Sequence, residues 1–330
     1  MRPLTRTFAA GLACVLGLTA SSALTARPAL ARSAQSGSHG RPAALPVSYD
    51  FATAFAATLA TPDVAPPGAN DFSCRPSAAH PDPVILVHGT FENMDDNWQA
   101  ASPVLVNHGY CVFAFNYGGL FTADPIQGTQ SIVPSARRLA AFTGRVLAAT
   151  GAAKVDIVGH SQGGMMPRYY LRFLGGAARV HTLVGLAPSN HGTTIDGLTT
   201  LAQTLSLLGG FSKVLGIACP ACRQQEPGSA FLTRLNAGGD TVPGVNYTVI
   251  ESKDDEVVTP YTSAFLSGPR VTDITVQNQC SLDASDHLEL SYDPVALADM
   301  LNALDPAHPV PVPCVPVLPL TGPVGPVPPF

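Results

Sequence analysis

The sequence predicts an α/β fold: a mostly parallel central sheet, helices on both faces, and a cap- or lid-like excursion around residues 190–240. Three observations predict it. First, an apolar run at 155–158 enters Gly159-His-Ser161-Gln-Gly163 and then a helix-compatible stretch at 165–174. That order is strand, sharp turn and helix, with a serine at the apex and glycines where neighbouring backbone must pass close. Second, short runs rich in apolar and β-branched residues recur at 83–87, 110–115, 180–186, 245–250 and 271–277. The first is apolar throughout, as in a parallel strand covered on both faces. Third, 330 residues is close to one large α/β domain.

The elements follow in order. Residues 1–31 have the form of a secretory signal: Arg2 and Arg6, then an apolar segment at 8–18 too short to span a bilayer, then Ala29-Leu30-Ala31 as a small-x-small cleavage site. Cleavage after Ala23 is the alternative. The expectation is a secreted, extracellular protein with no transmembrane segment in its mature chain. Residues 32–70, rich in Ala, Pro, Ser and Gly, are expected to form a mobile leader, with apolar spacing for one short helix at 49–59. The globular domain is placed at 71–305. Its helices are expected at 96–108, ended by Gly109, at 135–150, ended by Gly151, at 165–174, at 198–208 within the excursion, and at 294–304. Residues 306–330 hold ten prolines and cannot continue a helix or a central strand. They are expected to wrap as extended chain tied down by Cys314.

Composition bounds the partners. The formal net charge is −5, which gives no basis for nucleic-acid binding. Charged residues make up 12%, about half of the usual ~25%, and hydrophobic residues 46%. Such a balance suits a surface that works at a lipid–water boundary, and it also suits a plain bias toward Ala and Pro. Beyond the signal, six cysteines remain: Cys74, Cys111, Cys219, Cys222, Cys280 and Cys314. An even count in an exported chain implies disulfides. Cys219 and Cys222 are close enough for a local bridge, and no second C-x-x-C completes a zinc site with them.

A serine at such a turn points to nucleophilic catalysis. Neutral serine needs a base to take its proton and a third group to orient that base. With the nucleophile on a strand–turn–helix, the chain order is serine, acid, base. Downstream of Ser161 stand His181, His191, His287 and His308. His181 precedes a strand, His191 comes too early, and His308 lies in the proline tail. His287 sits after the last strand and before the last helix, where a base can reach the apex serine. The acid must follow an earlier strand, which leaves Asp254 and Asp255; Asp240 precedes that strand. Asp283 and Asp286 share the base's own loop and are expected to shape it. They match no calcium-binding spacing. Attack on an ester makes an oxyanion, which needs preorganised donors. The N–H of Gln162 is one. Thr90, after the first strand, is the other, with its hydroxyl as a third donor; Phe91 is the alternative. His88 and His160 are read as structural. This chemistry requires neither a metal nor an organic cofactor.

Val87-His-Gly-Thr90, Asp96-Asn-Trp98, Gly109-Tyr-Cys111, Ser161-Gln-Gly-Gly164, Asp255-Glu-Val-Val-Thr-Pro260 and Asp286-His287 together resemble the secreted actinobacterial lipases of the α/β-hydrolase fold, the class 2 lipase family, and the fungal lipase B type. The pieces span roughly residues 70 to 314 in that family's order. The resemblance implies a Ser161–Asp255–His287 triad, because the first aspartate of Asp-Glu-Val-Val-x-Pro is catalytic there. It implies Cys74–Cys111 and Cys280–Cys314 bridges, leaving Cys219–Cys222 as the local pair. It also implies carboxylester hydrolysis with acyl chains in a narrow apolar crevice. The chain departs from the fungal type at Gly159, where that type has a bulkier residue, and in the 190–240 excursion. The function expected is a serine carboxylesterase or triacylglycerol lipase, probing ester or lipid substrates as a monomer. The alternatives are an acyltransferase or polyester depolymerase with the same triad, and a non-catalytic binding protein on the same fold.

Overall fold

A computed structural model describes residues 43–209 and 218–330. The expected signal segment, 1–31, and the first part of the expected leader lie outside the described residues. Six strands form one sheet: β1 (Val84–Val87), β2 (Val112–Ala114), β3 (Val155–His160), β4 (Val180–Leu186), β5 (Asn246–Glu251) and β6 (Val271–Thr275). Their order is β2-β1-β3-β4-β5-β6 and every pairing is parallel. All six overlap the runs read from the sequence, with β3 extending two residues and β5 one residue past its run. Parallel pairing brings all the carboxyl ends to one edge, and the register aligns them: Val87 is level with Gly159, Gly159 with Gly185, and Gly185 with Val249. Loops leaving these strands therefore meet at that edge, where α/β folds build sites.

Strand side chains alternate between two cores. Val84 and Leu86 of β1 face one, with Leu105 of α2 (Ala101–Asn107) and Leu297 and Met300 of α8 (Pro294–Leu304). Ile85 and Val87 face the other, with Leu139 of α3 (Ile132–Thr150) and Met165 of α4 (Gln162–Phe173). Gly151 ends α3 at φ 77°, its N–H closing on Leu147 O. The expected helix at 96–108 is shorter, beginning at Ala101. Asp96 is the reason: its carboxylate accepts the Asn93 N–H and side-chain amide, which folds 93–97 into a tight loop instead of a first helical turn.

The expectation of a mobile leader to residue 70 is corrected over its described part. Residues from Ala44 belong to the same compact unit as the rest of the described chain. The short helix is present as α1 (Phe51–Thr58), with Asp50 capping its Thr53 N–H. Phe51 and Phe55, one turn apart, are wholly buried, and Phe51 meets Tyr292 edge-on at 5.4 Å. Asn70 exchanges side-chain hydrogen bonds with both backbone groups of Ala114 on β2. An Ala- and Pro-rich composition hides two aromatic anchors whose burial outweighs the ordering entropy of the segment around them.

The tail runs as extended chain with one small antiparallel pair, β7 (Val317–Leu318) and β8 (Gly322–Pro323). Its Leu320 carbonyl accepts the Ala52 N–H, so tail and α1 are sewn together. Disulfides join Cys74 to Cys111, Cys219 to Cys222 and Cys280 to Cys314. The first ties the segment before β1 to the head of β2; the third ties the loop after β6 to the tail. Within the 190–240 excursion the described residues form α5 (Ile195–Leu207), α6 (Pro220–Gln224) and α7 (Ala230–Asn236).

Candidate active site

Ser161 leaves β3 at φ 54° and ψ −123°, a left-handed backbone that a non-glycine residue occupies only under constraint. Its neighbours impose that constraint. A Cβ on Gly159 would collide with the Gly163 carbonyl, and a Cβ on Gly163 with the Val87 carbonyl. The Ser161 N–H donates to Leu186 O at 2.9 Å, so the apex is pinned to β4 while α4 starts at the next residue.

Asp255 and His287 are brought together. His287 Nδ1 lies 2.8 Å from Asp255 Oδ2, both side chains fully buried. The other Asp255 oxygen accepts the N–H groups of Val257 and Val258, at 2.7 and 2.8 Å. The Asp-Glu-Val-Val piece thus folds back on its own first carboxylate. Asp254 is exposed, so of the two aspartates that residue order left open it is Asp255 that lies against His287. His287 Nε2 is buried and has no hydrogen-bond partner, so the ring is oriented from its Nδ1 side only. A link from the base to the serine turn runs through His160, whose Nε2 donates to the His287 carbonyl at 2.9 Å.

Thr90 and Gln162 also meet, through side chains. Thr90 Oγ1 accepts from Gln162 Nε2 at 2.8 Å and from Gln225 Nε2 at 3.0 Å. With both acceptor directions used, the hydroxyl proton is left to donate outward. The Phe91 N–H is already committed to Gln127 O at 2.9 Å, which removes Phe91 as an oxyanion donor. His88 is structural, as expected: its ring stacks on Tyr117 at 4.2 Å, accepts the Tyr117 N–H and donates to Gly89 O. Burial drives its pKa down to about 3, so it stays neutral.

Charge around the base is unusually dense. Burial by itself pushes the His287 imidazole down. The charge and hydrogen bond of Asp255, with Glu256 and Glu92 behind it, outweigh that and raise it to about 9. Glu251, at the end of β5, is wholly buried; burial and the neighbouring Asp255 hold its carboxyl well above the usual range. Burial and the adjacent Asp255 carboxylate thus favour the protonated form of the Glu251 carboxyl. Asp283 and Asp286 shape the loop as expected, accepting the N–H of Ser285 and of Glu289.

The remaining histidines are elsewhere. His191 pairs with Asp240 at 3.1 Å and His308 with Asp305. His181 sits at the start of β4, the opposite end of the sheet from Ser161, beside Asp82 and Asp156. These three offer ligand atoms within 4.8 Å of one another, and they satisfy each other as an ion-paired cluster. Gln225, Glu92 and Glu251 carry no sequence signal of a role at the site, and Asn97 stands out only as the middle of Asp96-Asn-Trp98. Gln225 lies in the excursion, and the others read as ordinary polar residues of loops and strand ends.

The family model described as lipase (class 2) matches residues 81–297. A triacylglycerol lipase of Pseudarthrobacter phenanthrenivorans is 41% identical over 92 residues, covering 26% of this chain and 27% of that protein. Lipase B of Pseudozyma antarctica is 29% identical over 189 residues, 55% of this chain and 48% of that one. The chain thus spans about a quarter and about half of these two curated relatives. The crystal structure of Aspergillus fumigatus lipase B superposes with a TM-score of 0.57 at 22% identity, over 75% of this chain and 56% of that one, a likeness of fold.

Proposed function

The chain belongs to the class 2 lipase family, and on that premise we propose that it is a secreted serine carboxylic ester hydrolase, a lipase or esterase working through an acyl-enzyme. One observation carries the reading. A buried aspartate–histidine pair, closed at 2.8 Å, leaves its outer ring nitrogen unpartnered, and the ring of that histidine lies 4.9 Å from the ring of His160, the residue before the serine at the strained apex.

In this reading Ser161 attacks the ester carbonyl as His287 Nε2 takes its proton. Asp255 fixes the Nδ1–H tautomer and favours the imidazolium that forms. The N–H groups of Thr90 and Gln162, with the Thr90 hydroxyl, hold the oxyanion. His287 then protonates the departing alcohol, and a water activated by the same nitrogen releases the acid. The substrate class is an ester with an apolar acyl chain, met at a lipid–water boundary. Exposed Leu120, Phe121, Ile195 and Leu207 support that setting. In this reading helix α5 and the other described residues of the 190–240 excursion form the cap over the acyl site. Three disulfides support an oxidising, extracellular location. Among the described residues no helix is long and apolar enough to cross a membrane.

The test is Ser161→Ala. It should cut p-nitrophenyl ester turnover by about 10⁶-fold with an unchanged circular-dichroism spectrum. Near-normal turnover by the folded variant would end the assignment. A rate series from acetyl to stearoyl esters, below and above substrate solubility, then separates esterase from lipase.

A further inference from the structure

We propose that His160, the residue before the nucleophile, is a positioning residue: anchored by Glu92, it clamps the main chain of the base to the serine turn and so sets the Ser161–His287 geometry. The proposal rests on the ester-hydrolase reading above and adds to it a residue pair that the triad chemistry does not use.

The geometry is closed at both ends. His160 Nε2 faces the His287 carbonyl at 2.9 Å. A carbonyl can only accept, so Nε2 carries a proton whatever the state of the ring. On the other side, His160 Nδ1 lies 2.8 Å from Glu92 Oε2, with both side chains buried. A proton is shared along that line, which fixes the ring plane. Asn97 lies against the same ring: its Nδ2 donates to Ser291 Oγ at 3.2 Å and its Oδ1 accepts the Gly89 N–H at 3.0 Å. Gly89 precedes Thr90, so this contact reaches the oxyanion loop. Space for Glu92 exists because residue 89 has no side chain; a Cβ there would strike Glu92 Oε2.

His287 needs such a clamp. Its loop belongs to no strand, and its Nε2 has no partner holding the ring toward Ser161. Asp255 fixes the ring's rotation through Nδ1, but Asp255 rides on the loop after β5, two strands from β3. The His160–His287 bond is a direct tie between the nucleophile strand and the base's backbone, with ring centroids 4.9 Å apart. A displacement of about 1 Å at the base is enough to cost about 10²-fold in rate.

Kinetics of H160L and H160Q test this. Leucine fills the space without a donor, and glutamine restores an N–H toward the carbonyl. H160L should lower kcat about 10²-fold with KM within about twofold, and H160Q should recover to within about tenfold of wild type. An H160L enzyme within about twofold of wild-type kcat overturns the clamp. If H160L does not fold, E92Q decides. The titratable groups facing His287 are Asp255, Glu256, Asp286, Glu92 and His160 itself. Loss of the Glu92 charge, which raises the His287 pKa, should move the midpoint of the kcat/KM–pH profile down and lower kcat about tenfold. Unchanged kcat and midpoint in E92Q overturn the proposal. Fluorophosphonate labelling of wild-type Ser161 separates the two failures. An unlabelled wild type removes the hydrolase reading and the clamp with it; a labelled wild type beside an unimpaired H160L removes the clamp alone.

Discussion

The two halves of the candidate site are held by different physics. On the nucleophile side, Thr90, Ser161 and Gln162 stand on backbone: strand register, a left-handed apex, and glycines that exclude a Cβ. On the base side, Asp255 and His287 stand on loops, held by carboxylates that reach across chain segments, with Glu251, Glu256 and Asp286 packed behind them. The first half tolerates no added atom, and the second no lost charge or hydrogen bond. The difference teaches where each half is vulnerable: the turn through sterics and stability, the base through electrostatics and rate.

Substitutions can break that contrast. The largest effect should come from Asp255→Asn, which keeps the shape but presents the wrong tautomer to His287; kcat should fall about 10⁴-fold, while Asp254→Asn stays within about twofold. Equal losses in the two variants would show that the carboxylate network, not one residue, orients the base. Next, Thr90→Val should cost about 10²-fold or more in kcat, with Thr90→Ser close to wild type, because only the hydroxyl differs in kind. A silent Thr90→Val would assign the oxyanion wholly to backbone N–H groups.

On the steric side, Gly163→Ala should lose stability rather than specific rate, by about 3 kcal/mol or more, read as a lower urea midpoint. A normally stable variant would mean the turn relaxes, and the contrast with the base side would vanish. The pH profile sharpens it instead. The reference imidazole value of about 6.5 puts the activity midpoint near neutrality, but His287 is held up to about 9. Catalysis needs the neutral ring, so kcat/KM should climb through that region. Stability should move oppositely. A histidine whose folded pKa exceeds its unfolded one stabilises the fold fully below the unfolded value, and that contribution is lost as pH rises through the folded one. Rate and melting temperature measured together across this window should therefore diverge; parallel curves would contradict the assignment of the titration to His287. The smallest effect should be Glu251→Gln, because burial and Asp255 already push that carboxyl toward its uncharged form. A large rate loss would mean that it acts as an anion.

By itself the sequence determined what is local. The glycine-flanked serine, the six strand runs, the Gly151 stop and the short bridge of Cys219 to Cys222 depend on neighbours in the chain, where periodicity and steric demand are written directly. It also delivered His287 and the two candidate aspartates, because a parallel sheet sends every carboxyl end to one edge. Tertiary structure decided what depends on distant partners. It put buried Asp255, not exposed Asp254, against His287, committed the Phe91 N–H to Gln127, supplied Gln225 from the excursion, and gave His160, read only as structural, its partners Glu92 and His287. It also fastened residues 43–70 through Phe51 and Phe55, where composition alone predicts freedom. The reason is the same in each case. A hydrogen bond or a buried ring acquires its worth from what lies opposite, and nothing in the residue's own sequence neighbourhood names that partner.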